Sequence, residues 1–128
     1  NLHWAVWNKL MGNAFANPLS ALTRGDLVQM MEDPHVHALA GRMLQEMTAL
    51  AGRIGLDGFP SPEARLAESA RLGPIRTSML QDVQAGRRLE IEPILGGLVE
   101  LAVHLDVPAP ALSGVYGMTR LLDRSLQG

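Results

Sequence analysis

Apolar residues recur along this chain at intervals of three and four, the pattern of helices that turn one face inward. From His3 to about Asn17, Leu2, Val6, Leu10 and Asn13 fall with Lys9 on one side of a 3.6-residue repeat, and Pro18 is expected to kink or break that helix. Asp33-Pro34 reads as a cap with Pro at the first helical position. Behind it, Val36, Leu39, Ala40, Met43, Met47, Leu50 and Ile54 predict a long amphipathic helix that ends at Gly55. Ser61-Pro62-Glu63 repeats the start signal for a short helix to Leu72, where Gly73-Pro74 stops it. Thr77 to Ala85 reads as another, closed by Gly86. Glu92-Pro93 opens a further helix with an Ile94, Leu98, Leu101, Ala102 and Leu105 stripe, and Ala111 to about Leu126 forms the last. No alternating apolar run is flanked by hairpin turns, so the expected fold is all-α, a compact domain of about six helices with short loops.

Composition narrows the function classes. The chain has 128 residues, which allows one domain, and 47% hydrophobic content is enough to build a core. With 13 acidic against 11 basic residues and no Lys/Arg run, no phosphate-neutralising patch is present, so a nucleic-acid partner is not expected. No apolar stretch approaches the roughly 18 to 20 residues of a membrane span, and no signal-type segment opens the chain; a soluble, cytoplasmic protein without membrane association is expected. The absence of Cys removes disulfides, cysteine zinc sites and thiol nucleophiles. The chain begins at Asn1 with an apolar periodic segment that shows no preceding cap, which suggests a piece of something longer.

The polar residues that packing does not explain fall in two places. Lys9, Asn13 and Asn17 are spaced i, i+4, i+8, each step advancing about 40° around a helix, so one ammonium and two carboxamides project from one stripe. Such a stripe suits a small molecule bearing a carbonyl or carboxylate. The plainer reading is a solvated face; Pro18 and the apolar neighbours Leu10, Met11, Ala14 and Phe15 argue instead for partial burial. The second place is RTSMLQDVQAGRRLEIEPILGG, residues 76–97, where Ser78 and Asp82 lie one turn apart and Glu90 stands three residues before Pro93. Taken alone, Thr77 or Ser78 is an N-cap and the acids are dipole partners. His35 and His37 point to different sides of a helix with no carboxylate or Cys to complete a set, so no metal site is expected. The Met residues read as core, and Gly96-Gly97 as close helix packing rather than a phosphate loop. Trp4 and Trp7 flank Lys9 and are expected to cover a cleft or meet a second domain.

WNKLMGNAFANPLSALT, followed about sixty residues later by SMLQDVQAGRRLEIE, resembles the C-terminal domain of the ketopantoate reductase (2-dehydropantoate 2-reductase) family, whose helical fold is shared with 6-phosphogluconate dehydrogenase-like enzymes. The similarity runs on through QEMTALAGRIG and VPAPALSGVYGMTRLLDR and so covers nearly all of residues 1–128. The resemblance implies an NADPH-dependent reductase of a 2-keto acid, in which an N-terminal Rossmann domain holds the cofactor and this domain closes over the substrate. No Gly-x-Gly-x-x-Gly occurs here, so that Rossmann half is expected as a partner outside this chain, and the chain alone is expected to be inactive. By the same resemblance Lys9 is the catalytic lysine that protonates the developing alkoxide, and Asn13 and Asn17 hold the substrate. Ser78 reaches the substrate's carboxylate end. Glu90 is a second catalytic residue, holding the substrate hydroxyl beside the nicotinamide and so contacting the cofactor. A homodimer is also implied. Departures from the family pattern, Ile75 where Asn is frequent, Leu89, Glu92 and Leu95 in LEIEPILGG, and Ala109 in place of a capping Thr, bear on the substrate more than on fold or reaction type. The other function class is a free-standing helical binding or dimerisation module that kept the fold and lost the chemistry; retention of all five polar residues favours the reductase.

Overall fold

The computed structural model describes residues 1–127. Its first helix, α1 (Leu2–Thr23), begins on a cap that the sequence reading overlooked: the Asn1 side chain accepts the N–H groups of His3 and Trp4. The expected break at Pro18 does not occur. Pro18 is buried in line with Met11, Ala14, Phe15 and Leu19, and α1 packs there against later helices. That burial outweighs the one helical hydrogen bond that a residue without an N–H cannot make. The inward face of α1 is also not the one expected, because Leu2 is 78% and Val6 57% exposed. The helix is longer than the core it serves, and in its first turns only Trp7 and Leu10 reach that core, in part.

After the left-handed Arg24, a short helix absent from the sequence reading, α2 (Leu27–Glu32), is set by a reciprocal cap: Gln29 N–H donates to Asp26 Oδ1 at 2.9 Å, and Asp26 N–H donates to Gln29 Oε1 at 3.0 Å. Asp33 then caps α3 (Pro34–Arg53), as its Asp-Pro pair predicts. The inward face of α3 is Ala40, Met43, Leu44, Met47, Leu50 and Ala51, packed against α1 and α2 and against helices that follow. Its apolar stripe is therefore core and not a free surface, and Ile54 at its end stays exposed. Ser61 caps α4 (Pro62–Arg71), and Thr77 caps α5 (Ser78–Gln84) by accepting Leu80 N–H at 3.1 Å. Glu92–Gly96 winds as a π-helical turn that leads directly into α6 (Gly97–Leu105), and α7 (Pro110–Leu126) closes the domain. Gly96 is buried at that turn, and a Cβ there would run into the Glu92 carboxylate and lie 3.4 Å from the Tyr116 ring, so this glycine does mark close packing.

The start of α7 shows how the departure at Ala109 is absorbed. Ala109 has no side-chain acceptor. Glu46 on α3 supplies it, one carboxylate oxygen taking Ala111 N–H at 2.9 Å and the other Leu112 N–H at 2.8 Å. The core is rich in methionine: Met11, Met30, Met31, Met43, Met47 and Met79 are buried, whereas Met118 is half exposed on α7. No strand occurs among the described residues.

Candidate functional site

A groove of about 400 Å³ runs along the outer side of α1 and is closed by the end of α4, the 72–77 link and the first residue of α5. Asn13 and Asn17 line one wall, and Ser78 lines the other. The helical spacing that puts both asparagines on one stripe thus meets the serine across the groove. The two walls are held together underneath. Ser20 on α1 and Thr77, both buried, share a hydroxyl-to-hydroxyl hydrogen bond, and Ser20 Oγ lies 2.9 Å from the Asn17 carbonyl. Thr77 therefore caps α5 and docks it on α1 in one step, leaving the next residue, Ser78, exposed at the rim. The link is fixed from outside by Leu27 N–H donating to the Ile75 carbonyl at 3.1 Å.

The chemistry of the walls is mixed in a definite way. Arg76 is the one charged residue among the described residues that line the groove, and it takes part in no ion pair among them. The sequence reading gave it no role, although it stands two residues before Ser78 and the wound-out link turns both toward one space. Leu72 and Ile75, 57% and 45% exposed, form an apolar lip beside these polar groups. A guanidinium, two carboxamides and a hydroxyl facing an apolar lip can hold a small carboxylate with an apolar substituent.

Lys9 and Glu90 stand outside the set of residues that line the groove. Lys9 is exposed on α1, one turn before Asn13. Its preceding neighbour Asn8 is clamped by Arg65 of α4, whose guanidinium donates to Asn8 Oδ1 at 2.6 Å and to the Asn8 carbonyl at 3.3 Å. Burial pushes the Arg65 guanidinium below its ordinary pKa, and its Nε is buried without a partner among the described residues. Glu90 is exposed between the buried Leu89 and Ile91, in the link before the π-helical turn, which is fastened to α7 by Leu89 N–H donating to Asp123 Oδ1 at 2.8 Å.

Three other sequence readings have structural answers. Trp4 is used within the chain: it stacks on Phe59 with ring centres 5.0 Å apart and donates its indole N–H to the Asp57 carbonyl at 2.7 Å. Trp7 is half-buried against the core. His37 sits with Nδ1 3.2 Å from the Met31 carbonyl and Nε2 3.8 Å from Glu63, and no group of metal-ligating residues forms among the described residues. No described helix is long and apolar enough to cross a membrane.

The absence of a strand bears on any nicotinamide dinucleotide, since the strand, Gly-rich turn and helix that cradle its diphosphate cannot come from the described residues. The exposed Glu90 carboxylate can accept hydrogen bonds from hydroxyls of the kind such a cofactor carries.

Comparison with known proteins gives a consistent family. The family model described as "Ketopantoate reductase PanE/ApbA C terminal" matches residues 1–123. The chain is 34% identical over 117 residues to a 2-dehydropantoate 2-reductase of Mesorhizobium japonicum, covering 91% of this chain and 36% of that protein. It is 31% identical over 127 residues to the 2-dehydropantoate 2-reductase of Archaeoglobus fulgidus, covering 98% and 42%. The chain thus spans about two fifths of the length of these relatives. Among solved structures, the 2-dehydropantoate 2-reductase from Methylococcus capsulatus superposes with a TM-score of 0.90 at 31% identity, over 100% of this chain and 45% of that one. A dimeric ketopantoate reductase from Staphylococcus aureus shares the fold at 24% identity, with a TM-score of 0.83 over 98% of this chain and 45% of that one.

Proposed function

The chain belongs to the ketopantoate reductase C-terminal family, and from that premise we propose that it is the substrate-binding, proton-donating part of an NADPH-dependent 2-keto acid reductase. The observation that carries this reading is the groove in which Asn13, Asn17, Arg76 and Ser78 meet. Ketopantoate or a related keto acid lies in it with its carboxylate toward Arg76 and Ser78, where a guanidinium and a hydroxyl offer several donors to two oxygens. Asn13 and Asn17 donate to the keto oxygen and orient the carbonyl face. NADPH, bound mainly by residues outside this chain, supplies the hydride. Charge then builds on the keto oxygen, and Lys9, one helical turn from Asn13, gives that oxygen its proton. Glu90 accepts hydrogen bonds from a substrate hydroxyl and from the cofactor's edge. Once the cleft is covered, a keto acid without that hydroxyl leaves the Glu90 carboxylate, an acceptor, without its donor, which is how Glu90 separates hydroxylated from plain keto acids.

The rest of the assembly follows from the same reading. A Rossmann domain of the same protein covers the exposed first turns of α1. A homodimer forms away from the groove, with Met118 and Leu121, exposed on α7, as its apolar contacts. The enzyme works in the cytoplasm, and this chain alone turns over no substrate.

The test is steady-state NADPH oxidation with ketopantoate by a protein that joins this chain to its cofactor domain. Lys9→Ala should lower kcat by about 100-fold or more while leaving thermal unfolding unchanged, because Lys9 is exposed. Arg76→Ala and Ser78→Ala should act chiefly through KM. Turnover by Lys9→Ala close to the unmodified rate would remove the proton-donor role.

A further inference from the structure

A second cavity, of about 310 Å³, opens where residues 88–92 meet the C-terminal half of α7, and it shares no lining residue with the groove. Three guanidinium groups line it: Arg88 from the link before the π-helical turn, and Arg120 and Arg124 from α7. None of the three forms an ion pair among the described residues. Two acids, Asp123 and Glu92, line the same cavity, and three of their four carboxylate oxygens hold neutral donors. Asp123 accepts Leu89 N–H on Oδ1 at 2.8 Å and Gln127 Nε2 on Oδ2 at 3.0 Å, and Glu92 Oε1 accepts the Tyr116 hydroxyl at 2.6 Å. Arg120 lies over the Tyr116 ring, 5.3 Å from its centre, which fixes its side chain without consuming a donor.

The dipole of α7 accounts for a cation in its last turn, and so for Arg124. It does not account for Arg88, which comes from a different segment, or for Arg120. Against the two carboxylates of Asp123 and Glu92, the three guanidinium groups leave the lining with a net positive charge. We propose that this cavity binds a phosphate-bearing small molecule. Each guanidinium presents N–H donors in a fixed fork, and a tetrahedral phosphate can accept such forks from three directions, where a planar carboxylate takes one of them well. The volume suits a ligand the size of a diphosphate.

Inorganic pyrophosphate is the probe, titrated into this chain by calorimetry and followed by phosphorus NMR. One molecule should bind per chain with Kd below about 1 mM, weakening as salt is added. Arg88→Gln/Arg124→Gln should weaken binding by about tenfold or more, and Ser78→Ala, which alters the other groove, should leave it unchanged. Neither Arg88 nor Arg124 makes a side-chain hydrogen bond among the described residues, and circular dichroism melting of the double variant checks its fold. Tricarballylate, which carries comparable charge on carboxylates alone, should bind about tenfold more weakly than pyrophosphate. An unchanged Kd in the double variant, loss of binding in Ser78→Ala, or tricarballylate binding as tightly as pyrophosphate would each overturn the proposal. Backbone amide NMR of the unmodified chain supplies a check that needs no variant. Pyrophosphate should shift amides in 88–92 and 120–127, and shifts confined to other residues would contradict it.

Discussion

Between Met11 and Ala21 the first helix buries Met11, Ala14, Phe15, Pro18, Leu19, Ser20 and Ala21, whereas between Leu2 and Leu10 it buries no residue fully. The early half is held more lightly, by Trp7 and Leu10 packed in part on the core, by Trp4 against Phe59 and by Arg65 against Asn8. The later half is continuous with the core, and its outer stripe is where Asn13 and Asn17 face the groove. One helix therefore serves as a rigid mount in its second half and as a projecting arm in its first. Lys9 stands at the junction, on the arm but one turn from the mount. The proton-donor role proposed for Lys9 requires a group at that boundary, close to a substrate held by the mount.

The contrast is broken most strongly by cutting side chains from each half. Phe15→Ala should cost about 3 to 5 kcal/mol in urea unfolding, whereas Val6→Ala, at an exposed site, should stay within about 0.5 kcal/mol. Equal losses would mean that the arm is held by contacts these interactions do not account for. Next in size is the joint between the groove walls. Thr77→Val removes both the cap on Leu80 and the hydroxyl partner of Ser20, and should cost about 1 to 3 kcal/mol. Because it loosens α5 against α1, it should also weaken keto acid binding at Ser78, which a purely structural residue elsewhere in the core would not do.

A third substitution sharpens the view of the groove as open space. A Cβ at Gly12 meets nothing within 4 Å, so Gly12→Ala should raise stability by up to about 1 kcal/mol through helix propensity while its methyl group narrows the groove. Stability up and substrate affinity down is the expected pair of outcomes. The smallest effect falls at the start of α3, a helix that packs on α1. The backbone N–H of Val36, and then that of His35, hold the Asp33 carboxyl below its usual value. A carboxyl lowered in the folded state stabilises above its unfolded pKa and loses that contribution as pH falls through the folded value. Asp33→Ala should therefore lower Tm by about 3 °C near neutral pH, and the gap should begin to narrow as pH falls below about 4 and go on narrowing as the folded carboxyl takes up its proton. A gap that does not narrow at all on acidification would assign the loss to something other than the charge.

Much of this architecture was legible because its signals are local. Asp33-Pro34, Ser61-Pro62 and the three-and-four spacing behind them depend on near neighbours, and those helices stand where the pattern puts them. Pro18 and the inward face of α1 depend on what packs against the helix, which no local pattern states. The helix α2 did carry a readable signal in Asp26 and Gln29, a reciprocal cap three residues apart before Met30 and Met31. In the site, Asn13, Asn17 and Ser78 were singled out by spacing and by family resemblance, and they line one groove. Arg76 was not, since a lone arginine before a helix cap is ordinary in sequence and gains meaning only from the link that turns it inward. Glu46 likewise gave no sign of its task, because the helix it caps lies more than sixty residues away in the chain.

The central claim, that the outer face of the buried half of α1 and the start of α5 form a keto acid site, is tested most directly by amide NMR of the isotope-labelled chain titrated with ketopantoate. Saturable shifts should gather at Gly12, Asn13, Asn17, Arg76 and Ser78, and Asn17→Ala should abolish them with the remaining spectrum intact. Saturable shifts that gather instead on α6 and α7, or a spectrum unchanged at high millimolar ketopantoate, would contradict the account.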